Sequence, residues 1–146
     1  MTPLHLAAWF DRRAITELLL ATGAWIGAKD ENGRTALHWA AAEGHTQVAA
    51  SLVGQGADLE ARDEAGKTPL HWAVWLNHPD VVELLLSRGG DPLVRDPFGR
   101  TTLEIARAQV TTEAGSTPLV HAERRQQIVT ACAAIADLLV RRNSPA

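Results

Sequence analysis

The feature that most constrains this chain is an internal repeat of 33 residues. Thr2, Thr35, Thr68 and Thr101 are each 33 residues apart. Leucine, alanine and glycine positions recur at the same spacing, as in Leu4, Leu37, Leu70 and Leu103, in Ala7, Ala40, Ala73 and Ala106, and in Gly23, Gly56 and Gly89. A period of this length is typical of solenoids, in which each short unit is stable only when it is stacked on its neighbours. We therefore expect four units, which start at residues 2, 35, 68 and 101.

Each unit is predicted to contain two short helices and a turn. The threonine supplies an N-cap hydroxyl, and in Thr2-Pro3 and Thr68-Pro69 a proline follows at the first helical position, where its missing N–H is harmless. Apolar residues then recur with helical spacing until Gly44-His45 or Asn77-His78 ends the first helix. An Asp-x-x-Gly turn such as Asp63 to Gly66 links one unit to the next.

These residues resemble the ankyrin repeat family. The resemblance lies in TPLHLAA from Thr2, TALHWAAAEGH from Thr35, TPLHWAVWLNH from Thr68 and GADLEARDEAG from Gly56, and it is close over residues 1–108. It implies an all-α solenoid of four stacked helix-turn-helix units with projecting hairpin loops. It also implies binding of other proteins through the concave face, no catalytic residues, and a structural hydrogen-bonding role for His5, His38 and His71.

The two ends of the chain depart from this pattern. Unit one begins without a preceding hairpin or a polar capping helix, so we expect its outer face to be apolar. In unit four Glu104 replaces the histidine, and an insertion of about residues 109–130 delays the second helix, so residues 1–146 are expected to form one domain. A long C-terminal capping helix is predicted from Thr117-Pro118 to Arg142, after a mobile loop near 111–116. Its stripe of Ile128, Cys132, Ile135 and Leu139 should face the core, while residues 123–126 should face solvent.

The composition excludes several classes of partner. The chain has 14 basic and 17 acidic residues, a net charge of -3, which argues against binding to nucleic acid. Its most apolar stretch, residues 128–140, is shorter than the ~20 residues that cross a bilayer, so no membrane segment is expected. Cys132 is the only cysteine, and no charged-then-apolar segment follows Met1. We expect an intracellular, cytoplasmic protein.

No group of residues in the sequence indicates catalysis or metal binding. His5, His38 and His71 lie on successive units and are expected to be about 8 to 10 Å apart, too far to share one zinc ion. Cys132 and His121 lack a visible oxyanion donor or orienting carboxylate, so Cys132 is interpreted as a small core residue. HExxH, CxxC and GxSxG motifs are absent from the sequence. We therefore predict no enzyme activity, no cofactor and no metal.

Aromatic and apolar residues provide the first candidate binding surface. Trp39 and Trp72 occupy a first-helix position for which core packing is predicted. Large apolar groups at exposed positions favour an interface, and the candidates are Trp9, Phe10, Trp75, Leu76 and Phe98. For Trp9 and Phe10, packing at the N-terminal end is an equally open interpretation.

Basic residues flank every Asp-x-x-Gly turn and form the second candidate surface. The candidates for binding an acidic partner are Arg34, Arg62, Lys67, Arg95 and Arg100, although a solvated and locally paired edge is the favoured interpretation. The sequence as a whole predicts a noncatalytic module that binds another protein. The alternative is a self-assembling protein that forms a homo-oligomer through its N-terminal unit or its C-terminal helix.

Overall fold

The repeat folds into pairs of antiparallel helices. The computed structural model describes residues 1–112, 123 and 126–130, with the backbone alone for 109–112. Seven helices have defined bounds within these residues, and residues 126–130 are helical as well: α1 Pro3–Trp9, α2 Arg13–Ala21, α3 Ala36–Glu43, α4 Thr46–Gly54, α5 Pro69–Trp75, α6 Pro79–Ser87 and α7 Thr102–Thr112. The first helices of the four units begin 33 residues apart, and so do the second helices of the first three. The predicted all-α class is confirmed.

The first helices of units one to three share one geometry at their N-termini, because a threonine and a histidine cap each of them reciprocally. In unit two, the Thr35 hydroxyl accepts the N–H of His38, and Nδ1 of His38 accepts the N–H of Thr35 at 3.0 Å. Units one and three have the same arrangement. Because Nδ1 accepts a hydrogen bond, the imidazole proton lies on Nε2, which is then free to donate.

The Nε2 atoms of these histidines join consecutive units. Nε2 of His5 donates to the Arg34 carbonyl at 2.8 Å, and Nε2 of His38 donates to the Lys67 carbonyl at 2.9 Å. The bond from His71 reaches the Val94 carbonyl at 3.3 Å. Burial lowers the pKa of both His38 and His71, which favours the neutral form that this pattern requires. The predicted structural role of these residues is confirmed.

The helices form two layers with the core between them. Contacts run along the first helices, from α1 to α3, α5 and α7, and along the second helices, from α2 to α4 and α6. The core consists of small and branched side chains of both layers, the largest fully buried ones being Leu37, Leu52, Leu85, Val48, Val74, Val81, Val82 and Ile128. Burial of these side chains supplies the stability that helices of seven to eleven residues lack in isolation.

The turn inside each unit needs a residue with positive φ. Asp11, Gly44 and Asn77 stand at equivalent positions with φ of 55°, 76° and 64°. At Gly44 a Cβ atom would lie 2.5 Å from Nδ1 of His78, so this position also needs the space that glycine leaves. His78 in turn donates from Nε2 to the Ala42 carbonyl at 2.8 Å, and this bond fixes the turn of unit two against unit three.

The hairpins between units are tight turns closed by an aspartate. Asp30 N–H donates to the Arg34 carbonyl at 2.9 Å, and Oδ1 of Asp30 accepts the N–H groups of Asn32 and Arg34. Asp63 and Asp96 close the next two turns in the same way. The hairpins also contact one another, since the N–H of Glu64 donates to the Asn32 carbonyl at 2.9 Å. The predicted hairpin loops are therefore present.

Unit four follows the prediction in part. Helix α7 continues to Thr112, so the mobile loop predicted near 111–116 cannot begin at residue 111. Residues 126–130 are helical, with Ile128 buried in the core and Glu123 and Gln126 exposed, as predicted. Thr117, Cys132, Ile135 and Leu139, which carry the rest of the predicted capping helix, lie outside the described residues.

Candidate binding surface

Two tryptophans are anchored to the hairpins by their indole nitrogens. Nε1 of Trp39 donates to Oδ2 of Asp30 at 2.9 Å, and Nε1 of Trp72 donates to Oδ2 of Asp63 at 2.8 Å. Trp39 also packs partly against the core, but both side chains are only half-buried. The predicted core packing is thus incomplete as a description, because each ring also forms part of the surface between the first helices and the hairpins.

Cations alternate with these aromatic rings. The Arg34 guanidinium lies 5.1 Å from the ring centroid of Trp39 and 4.8 Å from that of Trp72. The Lys67 ammonium lies 4.9 Å from the Trp72 centroid and 3.3 Å from that of Trp75. These distances are in the range of cation–π attraction. Each cation immediately precedes the threonine of its unit, so the repeat itself brings cation and ring together.

Further rings extend this row at both ends. Trp9 stacks on Trp39 with centroids 4.8 Å apart, and Phe10 lies 5.2 Å from Trp9. At the other end the Arg100 guanidinium lies 5.4 Å from the Phe98 ring. We call the row the aromatic–cation ladder; its members are Phe10, Trp9, Trp39, Arg34, Trp72, Lys67, Trp75, Arg100 and Phe98. It includes four of the five predicted aromatic and apolar candidates.

The ladder presents large apolar side chains to solvent. Phe98 is 80% exposed, Phe10 58% and Trp75 48%. Leu76, the C-cap residue of α5, is also exposed next to Trp75. Trp9 is exposed at its outer side although it contacts two rings. Exposed aromatic groups interleaved with cations on stacked repeat units have the composition of a protein interface.

Lys67 is the cation at the centre of the ladder. Burial and the neighbouring cations Arg100 and Arg34 lower the pKa of Lys67, against the attraction of Asp63 and Asp96. In the described part of the chain its ammonium makes no salt bridge. Its ammonium therefore lies directly against π faces, while the carboxylates of Asp63 and Asp96 attract it from beyond salt-bridge distance.

A second row of basic residues, Lys29, Arg62 and Arg95, bonds to the backbone instead of lying on aromatic rings. Lys29 donates to the Arg62 carbonyl at 3.2 Å, and Arg62 donates to the carbonyls of Gly66 and Arg95 at 2.9 and 3.0 Å. Arg95 donates to the Gly99 carbonyl. The predicted local pairing is present, but its acceptors are backbone carbonyls and not the neighbouring Asp and Glu side chains. Lys29 and Arg62 thus join adjacent hairpins, whereas Arg95 bonds within its own hairpin.

Unit four breaks the ladder. Ile105 stands at the repeat position of Trp39 and Trp72 and has no indole N–H. Oδ2 of Asp96 instead accepts from Nε and Nη2 of Arg100 at 3.1 and 3.0 Å. A cavity of about 270 Å³ opens beside Ile105, between Lys67 and Trp75 on one side and Phe98 and Arg100 on the other.

The outer face of unit one is a separate apolar surface. Leu18 is 63% exposed, and Leu6, Phe10 and Ile15 are exposed as well. This agrees with the predicted apolar outer face, whereas Leu4 of the same unit is buried in the core. Phe10 is shared between this face and the end of the ladder.

The described residues offer no support for two other kinds of site. No group of three or more His, Cys, Asp or Glu side chains among them could hold a metal ion. Across the same residues, no helix combines the length and hydropathy needed to span a bilayer.

Comparison with known families identifies the repeat. A family model for ankyrin repeats, in three copies, matches residues 4–96. The chain belongs to the ankyrin repeat family. A search of curated proteins returns no match. Ankyrin repeats generally mediate protein–protein interactions and are typically noncatalytic. In this ankyrin chain, sequence reasoning missed the anchoring of Trp39 and Trp72, although an aspartate nine residues before each tryptophan, Asp30 and Asp63, was a visible signal.

Proposed function

We propose that this chain is a noncatalytic binding module that recognises another protein through the aromatic–cation ladder and the adjacent hairpin tips. The observation that carries the proposal is the row of exposed rings from Phe10 to Phe98 on rigidly stacked units. Because the supporting helices are fixed by the capping histidines, the rings do not need to be ordered on binding. Preorganisation of this kind reduces the entropy lost on association.

The residues expected to dominate binding are Trp75 and Phe98, with Leu76 beside them. Tryptophan and other large aromatic residues are frequent hot spots when a partner excludes water from around them. Lys67, Arg34 and Arg100 would contribute specificity, since a partner must accommodate a positive charge next to each ring. Arg62 and Arg95 are assigned a smaller share, because their guanidinium groups already bond to hairpin carbonyls.

The test begins with peptides selected from a library, with no partner sequence assumed in advance. A peptide display library is selected on the immobilised wild-type protein, and the affinity of the selected peptides is measured by calorimetry. Trp75→Ala and Phe98→Ala should each weaken binding by roughly 2 kcal/mol, the usual hot-spot effect, while the circular dichroism spectrum keeps its helical signal.

A matched control separates the ladder from exposed aromatic groups in general. Trp25 is 75% exposed but follows α2 and is not part of the ladder. Trp25→Ala should leave the affinity unchanged. If Trp25→Ala weakens binding as much as Trp75→Ala, or if neither ladder variant weakens it, the proposed surface is wrong.

A second candidate function is self-assembly through the outer face of unit one. It is favoured by the exposed side chains of Leu6, Phe10, Ile15 and Leu18, which form one apolar surface. Size-exclusion chromatography with light scattering should then show a dimer that Ile15→Lys together with Leu18→Lys converts to a monomer. Leu93→Lys, at an exposed leucine elsewhere, is the control and should leave the dimer intact. A monomeric wild type would exclude this candidate.

We place the module inside the cell, where its partner would be another intracellular protein. The support is that Cys132 is the only cysteine, so the fold has no internal disulfide.

A further inference from the structure

Unit four lacks a tryptophan at the repeat position where units two and three have one, so the surroundings of this position can be compared between units. In units two and three the same position holds Trp39 and Trp72, each bonded to the aspartate of the preceding hairpin. Trp72 also lies between two cations, Arg34 and Lys67. In unit four the aspartate is present as Asp96 and the two flanking cations as Lys67 and Arg100, but the indole is replaced by Ile105.

The cavity beside Ile105 has the size of a side chain. Its volume of about 270 Å³ lies below the ~300 to 1,000 Å³ of most small-molecule pockets. Ile105 and the rings of Trp75 and Phe98 supply apolar lining. Asp96 borders the cavity with a carboxylate that is nearly buried. The unit therefore retains the surroundings of an indole without the indole itself.

The charges around the cavity suit an electron-rich ring as the ligand better than they suit a carboxylate. Arg100 is paired with Asp96, so the local excess is the single charge of Lys67. Burial alone would raise the pKa of Asp96, but the N–H and guanidinium groups of Arg100 and the N–H of Phe98 lower it, so Asp96 stays ionised. An acidic side chain would be attracted by Lys67 but would also face the Asp96 carboxylate, and a basic side chain would be repelled by Lys67. A tryptophan presents a negative π face to the cation and an N–H to the carboxylate.

We propose that the cavity between Lys67 and Arg100 binds a tryptophan side chain of the partner polypeptide, whose indole takes the place that Trp39 and Trp72 take in their own units. The inference rests on the proposed function and names the chemistry of the partner. On binding, the partner's indole N–H donates to Asp96, and Arg100 moves from the carboxylate to the ring face, as Arg34 lies on Trp39. The Arg100 side chain is half exposed and has room for this movement.

The direct test uses N-acetyl-L-tryptophanamide as a probe and the ¹⁵N-labelled protein as the receptor. Backbone amides of Phe98, Arg100 and Ile105 should shift saturably, with affinity in the millimolar range. N-acetyl-L-leucinamide and N-acetyl-L-glutamate, at the same concentrations, should bind at least severalfold more weakly. No saturable shift with the tryptophan probe, shifts confined to the Trp9 end of the ladder, or equal binding of the glutamate probe would overturn the proposal.

Two variants test the location independently. Ile105→Trp supplies the indole from the chain itself and should abolish binding of the probe. Lys67→Met removes the cation but keeps a long side chain, and it should weaken binding roughly threefold to tenfold. Lys29→Met, in the row that joins the hairpins, is the matched control and should have no effect. If Ile105→Trp does not fold, Lys67→Met decides, and unchanged binding in that variant overturns the proposal.

The display selection separates this proposal from the proposed function. Peptides selected on the wild type should be enriched in tryptophan and should fail to bind Ile105→Trp. If peptides without tryptophan bind, lose affinity with Trp75→Ala and Phe98→Ala and still bind Ile105→Trp, the tryptophan site is wrong and the binding module stands. If the probe binds but no peptide does, the site stands and the module is wrong.

Discussion

Units two and three differ from unit four at the position of the capping histidine and at that of the tryptophan, and the difference shows how side chains determine what a repeat can do. In the inner units a histidine caps the first helix and bonds to the next unit, and a tryptophan bonds to the hairpin aspartate. In unit four Glu104 caps the helix, with its Oε2 accepting the Thr101 N–H at 2.8 Å, and Ile105 replaces the tryptophan.

The backbone frame is nearly unchanged by these replacements. The hairpin before unit four closes like the others, with the Asp96 N–H donating to the Arg100 carbonyl at 2.9 Å. What changes is the use of the aspartate, because Asp96 bonds to Arg100 when no indole is available. In units two and three the hairpin aspartate therefore bonds to an indole, whereas unit four leaves a cavity and a cation that can be redirected.

The largest expected effect concerns the capping residues. His38→Ala removes the histidine half of the α3 capping box, a buried ring and the bond to the Lys67 carbonyl, which then keeps only the Asp63 N–H as donor, so it should lower the free energy of unfolding by about 2 to 4 kcal/mol. Glu104→Ala removes a cap only and should cost about 1 kcal/mol. Urea denaturation of both variants measures the difference. Equal losses of unfolding free energy in the two variants would show that the bond from His38 to the Lys67 carbonyl contributes nothing.

The second-largest effect is expected when the residues at the tryptophan position of units three and four are exchanged. Trp72→Ile should cost about 2 to 3 kcal/mol, since it removes a hydrogen bond to a charged acceptor and a ring between two cations. Ile105→Trp should be neutral or stabilising by up to about 1 kcal/mol, because a cavity and an acceptor are already present. The same denaturation experiment checks both. A large loss in Ile105→Trp would mean that unit four cannot accommodate the indole.

A pH effect of intermediate size should come from the inner units. The folded-state pKa values of His38 and His71 lie below the unfolded value of about 6.5, because burial disfavours the charged ring. Between these values the unfolded chain binds protons that the folded chain does not. Stability should therefore be constant above about pH 7.5 and fall as the pH decreases below about 6.5, by about 1.4 kcal/mol for each unit of pKa lowering.

Thermal unfolding at pH 7.5, 6.0 and 5.0 measures this dependence. His38→Gln with His71→Gln should flatten the curve in this range, even though the double variant is less stable at every pH. Glu104→Gln, in the unit that lacks the histidine, should retain the slope of the wild type. A double variant with the full wild-type slope would assign the effect to other groups.

The smallest expected effect is in the second row of basic residues. Arg62→Ala removes hydrogen bonds to the carbonyls of Gly66 and Arg95 at an exposed site and should cost only about 0.5 to 1 kcal/mol. Both bonds come from the single nitrogen Nη1, and Lys29 at the equivalent repeat position bonds to the next hairpin with its ammonium, so Arg62→Lys should recover much of the loss. A higher free energy of unfolding in Arg62→Ala would show that the hydrogen bond from Arg62 to the next hairpin is strained.

The frame of the molecule could be predicted from the sequence because it depends on local and periodic signals. Thr35 and His38 are three residues apart, and Gly44 stands at the turn, so the helix ends follow from short-range geometry. The apolar period located the core in the same way. The extent of α7 was less predictable, because residues 109–112 contain no glycine or proline to interrupt a helix, and α7 reaches Thr112, past the predicted start of the loop.

The surface could be predicted only in part. Sequence spacing put Arg34 and Arg62 in equivalent rows, but Arg34 lies on two rings while Arg62 bonds to carbonyls. This difference depends on side-chain direction across neighbouring units, which a pattern within one unit does not contain. The cavity beside Ile105 follows from the absence of one ring, and only the structures of units two and three show what is missing.

The most direct test of the account is hydrogen exchange at the indole N–H groups of Ile105→Trp. The wild type has five tryptophans, and the Nε1–H groups of Trp39 and Trp72 donate to carboxylates, whereas Trp25 is exposed. We expect the sixth indole to exchange as slowly as those of Trp39 and Trp72, because Asp96 accepts its proton as Asp30 and Asp63 do in their units. Exchange as fast as that of Trp25 would contradict the claim that unit four retains an indole site.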